Sequence, residues 1–266
     1  MSESRDSGSG WEVPEYRVEV LRGRRCRYVV VVFVINEGER VRRQLRKMEV
    51  LTGEVDVVVA DGGSTDGSLE APFPASCGVR AVLVKTGPGK LSAQMRMALS
   101  WALREGYEGV VVMDGNDKDG VSAVTGFVKA LDAGWDHVQG SRYVEGGRAV
   151  NTPWLRHWGV RLLHAPLLSL ASGRTWTDTT NGFRAYSRRF LLDAGVQPFR
   201  DVFRTYELHY YLAIRAARLG FRCCELPVTR EYPADGAVPT KISGWRGNLH
   251  ILRVLLAACA GCYDPR

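Results

Sequence analysis

The segment from Gly109 to Asp119 reads GVVVMDGNDKD and joins an apolar run to an acidic turn. Its first five residues contain no polar alternation, which is typical of a strand buried on both faces of a sheet. Gly115 and Asn116 are turn formers that end such a strand. Ligands of parallel α/β sheets bind beyond the carboxyl ends of the strands. The segment therefore predicts a buried parallel strand with a polar site at its end.

Other apolar runs alternate with helical patterns through the first half of the chain. Strands are predicted at residues 28–35, 55–60, 79–84 and 109–113, with 135–139 leading into a fifth, and helices at 41–51, 91–105 and 121–133. Because alternating strands and helices form βαβ units, we predict an α/β fold with a mostly parallel central sheet flanked by helices. Polar residues at 36–37, 61–66 and 114–119 directly follow strands and should converge on one edge of the sheet.

The second half of the chain is less regular. Residues 154–172 are rich in Trp, Leu, Arg and His, and Pro166 should break or kink a helix there. A polar turn is predicted at 175–184, a helix at 204–219, a strand at 222–228 and a closing helix at 251–260. Segments 154–172 and 251–260 suit either core packing or a helix lying on a membrane surface, and both readings stay open.

Bulk composition limits the class of protein. The 266 residues suit one large domain, and residues 1–27 are expected to be a disordered or irregular tail. The net charge of +7 suits phosphorylated substrates or an anionic membrane, and without a nucleic-acid-binding motif no nucleic acid partner is expected. No apolar run is long enough to span a bilayer. Six cysteines without a secretory signal indicate a cytoplasmic protein.

Two acidic clusters carry the candidate chemistry. Residues 61–68 (DGGSTDGS) fit either a nucleoside contact or an ordinary helix-capping turn. Residues 114–119 (DGNDKD) offer carboxylate and amide oxygens, the ligands that Mg²⁺ and Mn²⁺ prefer, although a plain polar turn has the same composition. A divalent ion at the second cluster would neutralise a diphosphate leaving group.

Taken together and in order, the motifs resemble those of the inverting glycosyltransferases of family 2, which have the GT-A fold. The closest resemblance is to the dolichyl- or polyprenyl-phosphate mannosyltransferases and related enzymes. The segments that carry it are residues 34–37 (VINE), 59–68 (VADGGSTDGS), 113–116 (MDGN), 140–147 (GSRYVEGG) and 178–184 (DTTNGFR), with the later Arg230 and Lys241.

The resemblance implies a division of roles within a single GT-A domain at residues 28–266. Residues 28–140 would bind the nucleotide-sugar donor and residues 141–266 the acceptor. The residues that would bind the donor are Asn36, Glu37, Asp61, Gly63, Lys90, Asp114, Gly115, Asn116, Arg184, Arg230 and Lys241, with Asp114 and Asn116 holding a divalent cation. The candidates for catalytic residues are Asp114, Arg142, Asp178 and Glu207.

Three positions depart from the family pattern. Gly62 stands where the second Asp of an Asp-Asp pair is expected, Asn116 replaces the second Asp of Asp-x-Asp, and Lys118 stands where Gln is frequent. Asparagine is a neutral ligand and lysine is no ligand. We therefore expect weak binding of Mg²⁺ or Mn²⁺, with Lys118 supplying part of the charge compensation.

The resemblance favours polyprenyl phosphate as acceptor, with peripheral contact at the inner face of the membrane. Such a phosphate is already ionised and needs no strong base, whereas a hydroxyl of a soluble glycan or metabolite would need Asp178 or Glu207 as a base. Two functions of other classes stay open: a nucleotidyltransferase and a non-catalytic nucleotide-sugar-binding relative.

Overall fold

A mixed sheet of eight strands forms the centre of the part of the chain that the structure describes. The structure is a computed structural model that describes residues 10–234 and 244–265. The strands are β1 (Tyr16–Val20), β2 (Tyr28–Val34), β3 (Asp56–Asp61), β4 (Val79–Lys85), β5 (Gly109–Asp114), β6 (His137–Ser141), β7 (Arg148–Val150), β8 (Arg184–Ser187), β9 (Cys223–Pro227) and β10 (Thr229–Glu231). The order in the large sheet is β1-β4-β3-β2-β5-β8-β6-β9, and β7 and β10 form a separate two-stranded sheet.

Helices cover both faces of the large sheet. They are α1 (Glu39–Met48), α2 (Phe73–Ser76), α3 (Leu91–Arg104), α4 (Val124–Asp132), α5 (Trp154–Gly159), α6 (Ala165–Ser172), α7 (Arg188–Leu192), α8 (Glu207–Arg218) and α9 (Gly244–Cys259). Alternate residues of β2 point to opposite faces, so Val31 packs in one core with α3, α8 and α9, and Val32 in another with α1 and α4. This double burial explains why β2 and β3 are continuous apolar runs.

The parallel strands β3, β2 and β5 are neighbours, and their carboxyl ends lie side by side. Val34 of β2 is paired with Asp61 of β3, and Phe33 of β2 with Asp114 of β5. The predicted α/β fold with a mostly parallel central sheet is confirmed, and the polar clusters that follow these strands do meet at one edge. Strand β8 belongs to the predicted acceptor half (residues 141–266) but lies between β5 and β6 of the predicted donor half. Strands of both predicted halves therefore form one sheet.

The expectation of an irregular segment up to residue 27 is wrong for residues 16–20. Strand β1 pairs antiparallel with β4, from Tyr16 opposite Lys85 to Val20 opposite Ala81. Its exposed and half-buried side chains are typical of a sheet edge, which is why the sequence looks like a polar tail.

Pro166 does not end the helical region at residues 154–172. The chain passes from α5 through a π-helical turn (Val160–His164) into α6, where Pro166 occupies the first turn. Proline is tolerated in a first helical turn, and a wide π turn before it accommodates the missing N–H donor. The closing helix α9 spans Gly244–Cys259 of the described residues, so the chain is already helical before the predicted start at residue 251.

The carboxylate of Asp56 fastens the chain before β2 to the sheet. It is fully buried and accepts hydrogen bonds from the backbone N–H groups of Arg25 and Cys26, from the Tyr107 hydroxyl and from the Arg22 guanidinium, at 2.8–3.1 Å. Burial alone would raise the pKa of Asp56, but these donors outweigh it and hold the pKa below its usual range.

We expect Asp56→Asn to lower the free energy of unfolding by about 2 kcal/mol at neutral pH, because charge-assisted bonds to a buried carboxylate are lost. The folded-state pKa lies below the unfolded-state value of about 3.9, so the stabilisation is present above that value and disappears as the pH falls through the folded-state pKa. The variant should therefore lose less stability on acidification, as measured by urea unfolding at several pH values. Asp201→Asn, at an exposed carboxylate, is the control and should change stability by less than about 0.5 kcal/mol. Equal loss of stability on acidification in Asp56→Asn and in the wild type would contradict the stabilising role of the ionised Asp56 carboxylate.

Candidate active site

The turn after β5 is held in place by the backbone of β2 and by a glutamine of α1. The N–H of Gly115 donates to the carbonyl of Phe33 at 2.8 Å, and a Cβ at Gly115 would lie 3.1 Å from that oxygen. The side-chain amide of Gln44 donates to the Asp114 carbonyl at 2.9 Å and accepts from the Asp117 N–H at 2.7 Å. Gly115 therefore allows the close approach of the turn to β2, and Gln44 of α1 fixes the turn by bonding to its backbone at two positions.

The turn's acidic side chains point in different directions. Asp117 has a φ of 56° and turns toward α1, where it forms ion pairs with Arg43 at 3.2 Å and Lys47 at 2.7 Å. Asp114 points into the large cavity at the sheet edge. The turn therefore presents fewer carboxylates to a ligand than its composition indicates.

Arg230 of β10 lies between the two remaining carboxylates. Its guanidinium binds Asp114 at 3.0 Å, forms a short ion pair with Asp119, and donates to the side-chain oxygen of Asn181 at 3.3 Å. Burial raises the pKa of Asp119. Burial also acts to raise the pKa of Asp114, but Arg230 and then Lys118 outweigh it and lower that pKa. Asp114 is therefore an ionised carboxylate beside a cation of the protein itself.

Asp114 and Asn116 offer two oxygens to a divalent cation. The Oδ1 atom of Asn116 is buried and has no hydrogen-bond partner in the described part of the chain, while its Nδ2 atom lies 3.3 Å from Asp114 Oδ2. Among residues 10–234 and 244–265 no group of three or more His, Cys, Asp or Glu side chains could hold a metal. Mg²⁺ is commonly bound by one or two protein ligands together with substrate phosphates and water. The pair fits a cation that a bound diphosphate completes.

Lys118 adds positive charge next to this pair. It is 6% exposed, and its Nζ atom lies 4.9 Å from the centroid of the Tyr232 ring. Burial, and after it Arg230, lowers the pKa of Lys118 to about 8. Burial would raise the pKa of Tyr232, but Arg230, Arg156 and Lys118 together lower it to about 8. The electrostatic field here favours anions.

The residues predicted to contact the nucleoside form a second turn at the same edge. Asp61 accepts hydrogen bonds from the backbone N–H of Ser64 at 2.9 and 3.0 Å and from its hydroxyl at 2.6 Å. Asn36 accepts from the N–H of Thr65 at 2.8 Å, and Gly63 has a φ of 96° that favours glycine. Asp61 and Asn36 thus shape this turn, while Gly62 lines the cavity. A nucleoside contact by Asp61 stays a prediction.

One cavity of about 1010 Å³ is lined by seven of the fourteen predicted residues. Those that line it are Glu37, Lys90, Asp114, Asn116, Arg142, Arg184 and Arg230. Asn36, Asp61, Gly63, Gly115, Asp178 and Glu207 support the surrounding turns and helices without lining it. Lys241 lies outside the described residues. Apolar residues of α5, the π turn and α9 also line the cavity, among them Leu155, Leu163, Leu249 and Leu252. We call the lining around Asp114 the donor end and this apolar lining the acceptor end, after the substrates predicted for them.

The two carboxylates predicted as general bases are engaged elsewhere. Asp178 is fully buried and pairs with Arg142 through two hydrogen bonds of 2.6 and 2.9 Å. Burial acts to raise the pKa of Asp178, but Arg142 outweighs it and lowers that pKa. Glu207 accepts from the backbone N–H of Thr205 at 2.6 Å and from its hydroxyl at 2.5 Å. These contacts favour structural roles, and a role as base stays a prediction for both.

Arg184 is also engaged by the protein. Its guanidinium donates to the carbonyls of Asn181 at 3.0 Å, Thr179 at 2.8 Å and His209 at 2.5 Å. It therefore anchors the loop before β8 to helix α8, and Arg142 likewise anchors that loop through Asp178 and Thr180. A phosphate contact by either arginine stays a prediction.

Sequence reasoning missed several residues of the cavity. His209 lines it from α8, with its Nδ1 atom 3.3 Å from the Tyr186 hydroxyl, and Arg156 and Tyr232 line it beside Lys118. His209 lies within a helical sequence pattern, and that pattern does not distinguish a site residue from one that packs in the core. Tyr232 lies two positions after the predicted Arg230, and this closeness in sequence is the only feature that could have identified it as a site residue.

The chain has curated relatives that are glycosyltransferases, although no family model matches it. Polyprenol monophosphomannose synthase of Mycolicibacterium smegmatis is 28% identical over 215 residues, which cover 76% of this chain and 77% of the relative. Undecaprenyl-phosphate mannosyltransferase of Micrococcus luteus is 28% identical over 208 residues, which cover 76% of this chain and 83% of the relative.

Solved structures with a similar fold include glucosyl-3-phosphoglycerate synthase of Mycobacterium tuberculosis. Its complex with UDP superposes with a TM-score of 0.61 at 20% identity and covers 90% of this chain and 81% of that one. Its complex with Mn²⁺, UDP and phosphoglyceric acid gives a TM-score of 0.59 at 22% identity, with coverages of 90% and 79%. The predicted GT-A fold and the predicted resemblance are thereby confirmed. This chain is similar in sequence to polyprenyl-phosphate mannosyltransferases and has the fold of a GT-A glycosyltransferase.

Proposed function

We propose that the protein transfers a sugar, with inversion, from a nucleotide-diphosphate sugar to a polyprenyl phosphate. The observation that carries the proposal is the composition of the cavity wall. Among the described residues that line it, the carboxylates are those of Glu37 and Asp114, both at the donor end. A hydroxyl acceptor needs a base, whereas a lipid phosphate is already ionised near neutral pH. His164 and His209 also line the cavity, but burial lowers the pKa of both and makes them weak bases. The wall therefore favours a phosphate acceptor over a hydroxyl of a soluble glycan or metabolite.

The donor end of the cavity suits a diphosphate. Lys118 and Arg230 place positive charge beside Asp114, and the Asp114–Asn116 pair suits Mg²⁺ or Mn²⁺ that is completed by the diphosphate oxygens. A bound cation would supply Lewis-acid stabilisation of the leaving group. The protein's own cations share that task, since they are fixed next to the position where charge develops. The residues 36–37, 61–63, 90 and 114–116 are proposed to bind the donor.

The acceptor end of the cavity is lined by two helical regions that also carry exposed apolar side chains. In the first, Trp154 is 72% exposed, Leu155 71% and Leu162 69%; in the second, Trp245 is 70% exposed. Arginines 156, 161, 246 and 253 lie in the same two regions. Tryptophan and leucine next to arginine are typical of helices that lie on an anionic bilayer. None of the described helices combines the length and the apolar character that a bilayer-spanning segment requires.

We therefore include peripheral contact with the anionic cytoplasmic face of a membrane in the proposal. Both helical regions line the cavity, so a lipid whose phosphate enters the cavity can leave its hydrocarbon chain along the apolar opening. The relatives named for polyprenol and undecaprenyl phosphate support the same acceptor class.

Transfer is tested with a panel that includes UDP-glucose and GDP-mannose, with a short polyprenyl phosphate and Mn²⁺, Mg²⁺ or EDTA. We expect one donor to release its nucleoside diphosphate and to yield a glycosylated lipid. Pyrophosphate release would identify a nucleotidyltransferase, and binding of donor without turnover would identify a non-catalytic relative. Silence across the whole panel with membrane lipid extract added would refute the proposal.

Asp114→Ala should reduce transfer by about a thousandfold, because it removes the carboxylate that faces the diphosphate and the cation. Asp117→Ala is the matched control in the same turn, since its side chain faces α1, and it should stay within about threefold of wild type. Initial rates of nucleoside diphosphate release measure both. Retained transfer by Asp114→Ala in a folded protein would place the donor elsewhere.

Lys118→Gln should lower the Mn²⁺ concentration for half-maximal activity by about tenfold, because a buried positive charge that repels the cation is replaced by an amide oxygen. Residual activity in EDTA should fall at the same time, since the protein then supplies less charge compensation. Lys47→Gln, at an exposed lysine paired with Asp117, is the control and should change neither quantity. An unchanged metal requirement together with unchanged turnover would count against the role of Lys118.

Replacing Trp154 and Leu155 together by serine should weaken binding to vesicles by at least about tenfold, because two apolar side chains no longer enter the lipid surface. Sedimentation with vesicles containing phosphatidylglycerol measures the partition coefficient, and raising the salt concentration should weaken binding of the wild type. The control replaces Val20 and Val50, which are 60% and 80% exposed on other parts of the surface. Equal losses in the two variants would argue against this membrane contact.

A further inference from the structure

Tyr232 connects the turn after β5 (residues 114–119, here called the donor turn) to the chain that leads into helix α5. The backbone N–H of Tyr232 donates to the Val150 carbonyl at 3.1 Å, and the side-chain amide of Asn151 donates to the Tyr232 carbonyl at 3.1 Å. The backbone N–H of the preceding residue, Glu231, donates to the carbonyl of Lys118 at 2.8 Å. Tyr232 is 2% exposed, so its ring has one fixed place between the turn after β5 and the chain that leads into α5.

Two cations from different parts of the chain meet on this side chain. Lys118, from the donor turn, lies over the ring with its Nζ atom 4.9 Å from the centroid. Arg156, from α5, donates to the Tyr232 hydroxyl at 2.8 Å, and its Cζ atom lies 5.7 Å from the ring centroid. Both cations line the same cavity, Lys118 at the donor end and Arg156 beside the acceptor opening.

The ring makes this meeting of like charges favourable. The face of a tyrosine ring attracts cations, and a hydroxyl oxygen accepts a charge-assisted hydrogen bond. Lysine and arginine side chains each have about 2 kcal/mol of rotamer entropy when they are free. By ordering both before a ligand arrives, Tyr232 reduces the entropy that anion binding would otherwise cost. An anion that binds near either cation also relieves the repulsion between them.

We propose that Tyr232 is a positioning residue that couples the two substrate sites: its ring places Lys118 at the donor diphosphate, and its hydroxyl places Arg156 at the acceptor phosphate. This inference rests on the proposed function, since the two anions are those of the proposed substrates. Each contact uses a different part of one side chain, so the two effects are separable by substitution.

Tyr232→Phe keeps the ring and removes the hydroxyl. We expect the KM for polyprenyl phosphate to rise about fivefold to tenfold, as for a lost hydrogen bond to a charged group, with kcat and the KM for the nucleotide-sugar within about twofold. Tyr232→Leu removes the ring as well and should raise both KM values. Tyr143→Phe is the matched control, because the Tyr143 hydroxyl has no partner within the described ranges; it should change nothing.

A double-mutant cycle excludes a merely structural role. Arg156→Ala should raise the KM for polyprenyl phosphate, and adding Tyr232→Phe should raise it no further, because the hydroxyl acts through Arg156. Additive effects, an equal rise of both KM values in Tyr232→Phe, or no rise at all would overturn the inference while leaving the proposed transfer intact. If the wild type transfers no sugar from any donor of the panel, the proposed function fails and the coupling falls with it. If Tyr232→Leu does not fold, Tyr232→Met, which lacks the ring but fills more of its volume, takes its place; an unchanged KM for the nucleotide-sugar in that variant would overturn the placement of Lys118 by the ring.

Discussion

The buried ion network around Arg230 holds the candidate active site together. One guanidinium joins the turn after β5, through Asp114 and Asp119, to the loop before β8, through Asn181. Taking such charges out of water is costly, and the arrangement is stable only while every partner stays in place. Removal of Arg230 would leave two carboxylates facing each other in a poorly solvated cleft, so the geometry of the donor end depends on this residue.

The same network sets the charge that a donor encounters. Arg230 already neutralises part of Asp114, and Lys118 adds a further cation whose pKa is lowered by burial. A divalent ion that binds Asp114 and Asn116 must therefore approach against two positive charges. It is favoured once the diphosphate contributes its own negative oxygens, which makes cation binding and donor binding mutually dependent.

The sequence predicted the features that follow from local pattern and sheet geometry. Continuous β-branched runs identified β2, β3 and β5, and the rule that ligands bind beyond parallel strands brought residues 36–37, 61–66 and 114–119 to one edge. Partners distant in sequence were not predictable. Asp178 meets Arg142 across 36 residues, and Asp117 turns toward α1 because its backbone adopts a positive φ. Strand β1 was missed because an edge strand needs no apolar alternation.

The acceptor end shows why a lipid phosphate suits this wall. A phosphate monoester has a second pKa of about 6, so its oxygen is a nucleophile without proton removal at neutral pH. The cavity wall then has to attract the anion, hold it in line with the bond to the leaving group and exclude water. Cations provide the attraction, and apolar side chains exclude the water. Arg156, which donates a hydrogen bond to the Tyr232 hydroxyl, supplies positive charge. The leucines of α5, the π turn and α9 supply the apolar lining. A hydroxyl acceptor would need a general base here. The described carboxylates near this end are bound to Arg142 and Thr205. Burial lowers the pKa of His164 and His209, which makes both weak bases. The charge pattern of the wall thus suits the acceptor of the proposed function, which brings its own ionised nucleophile.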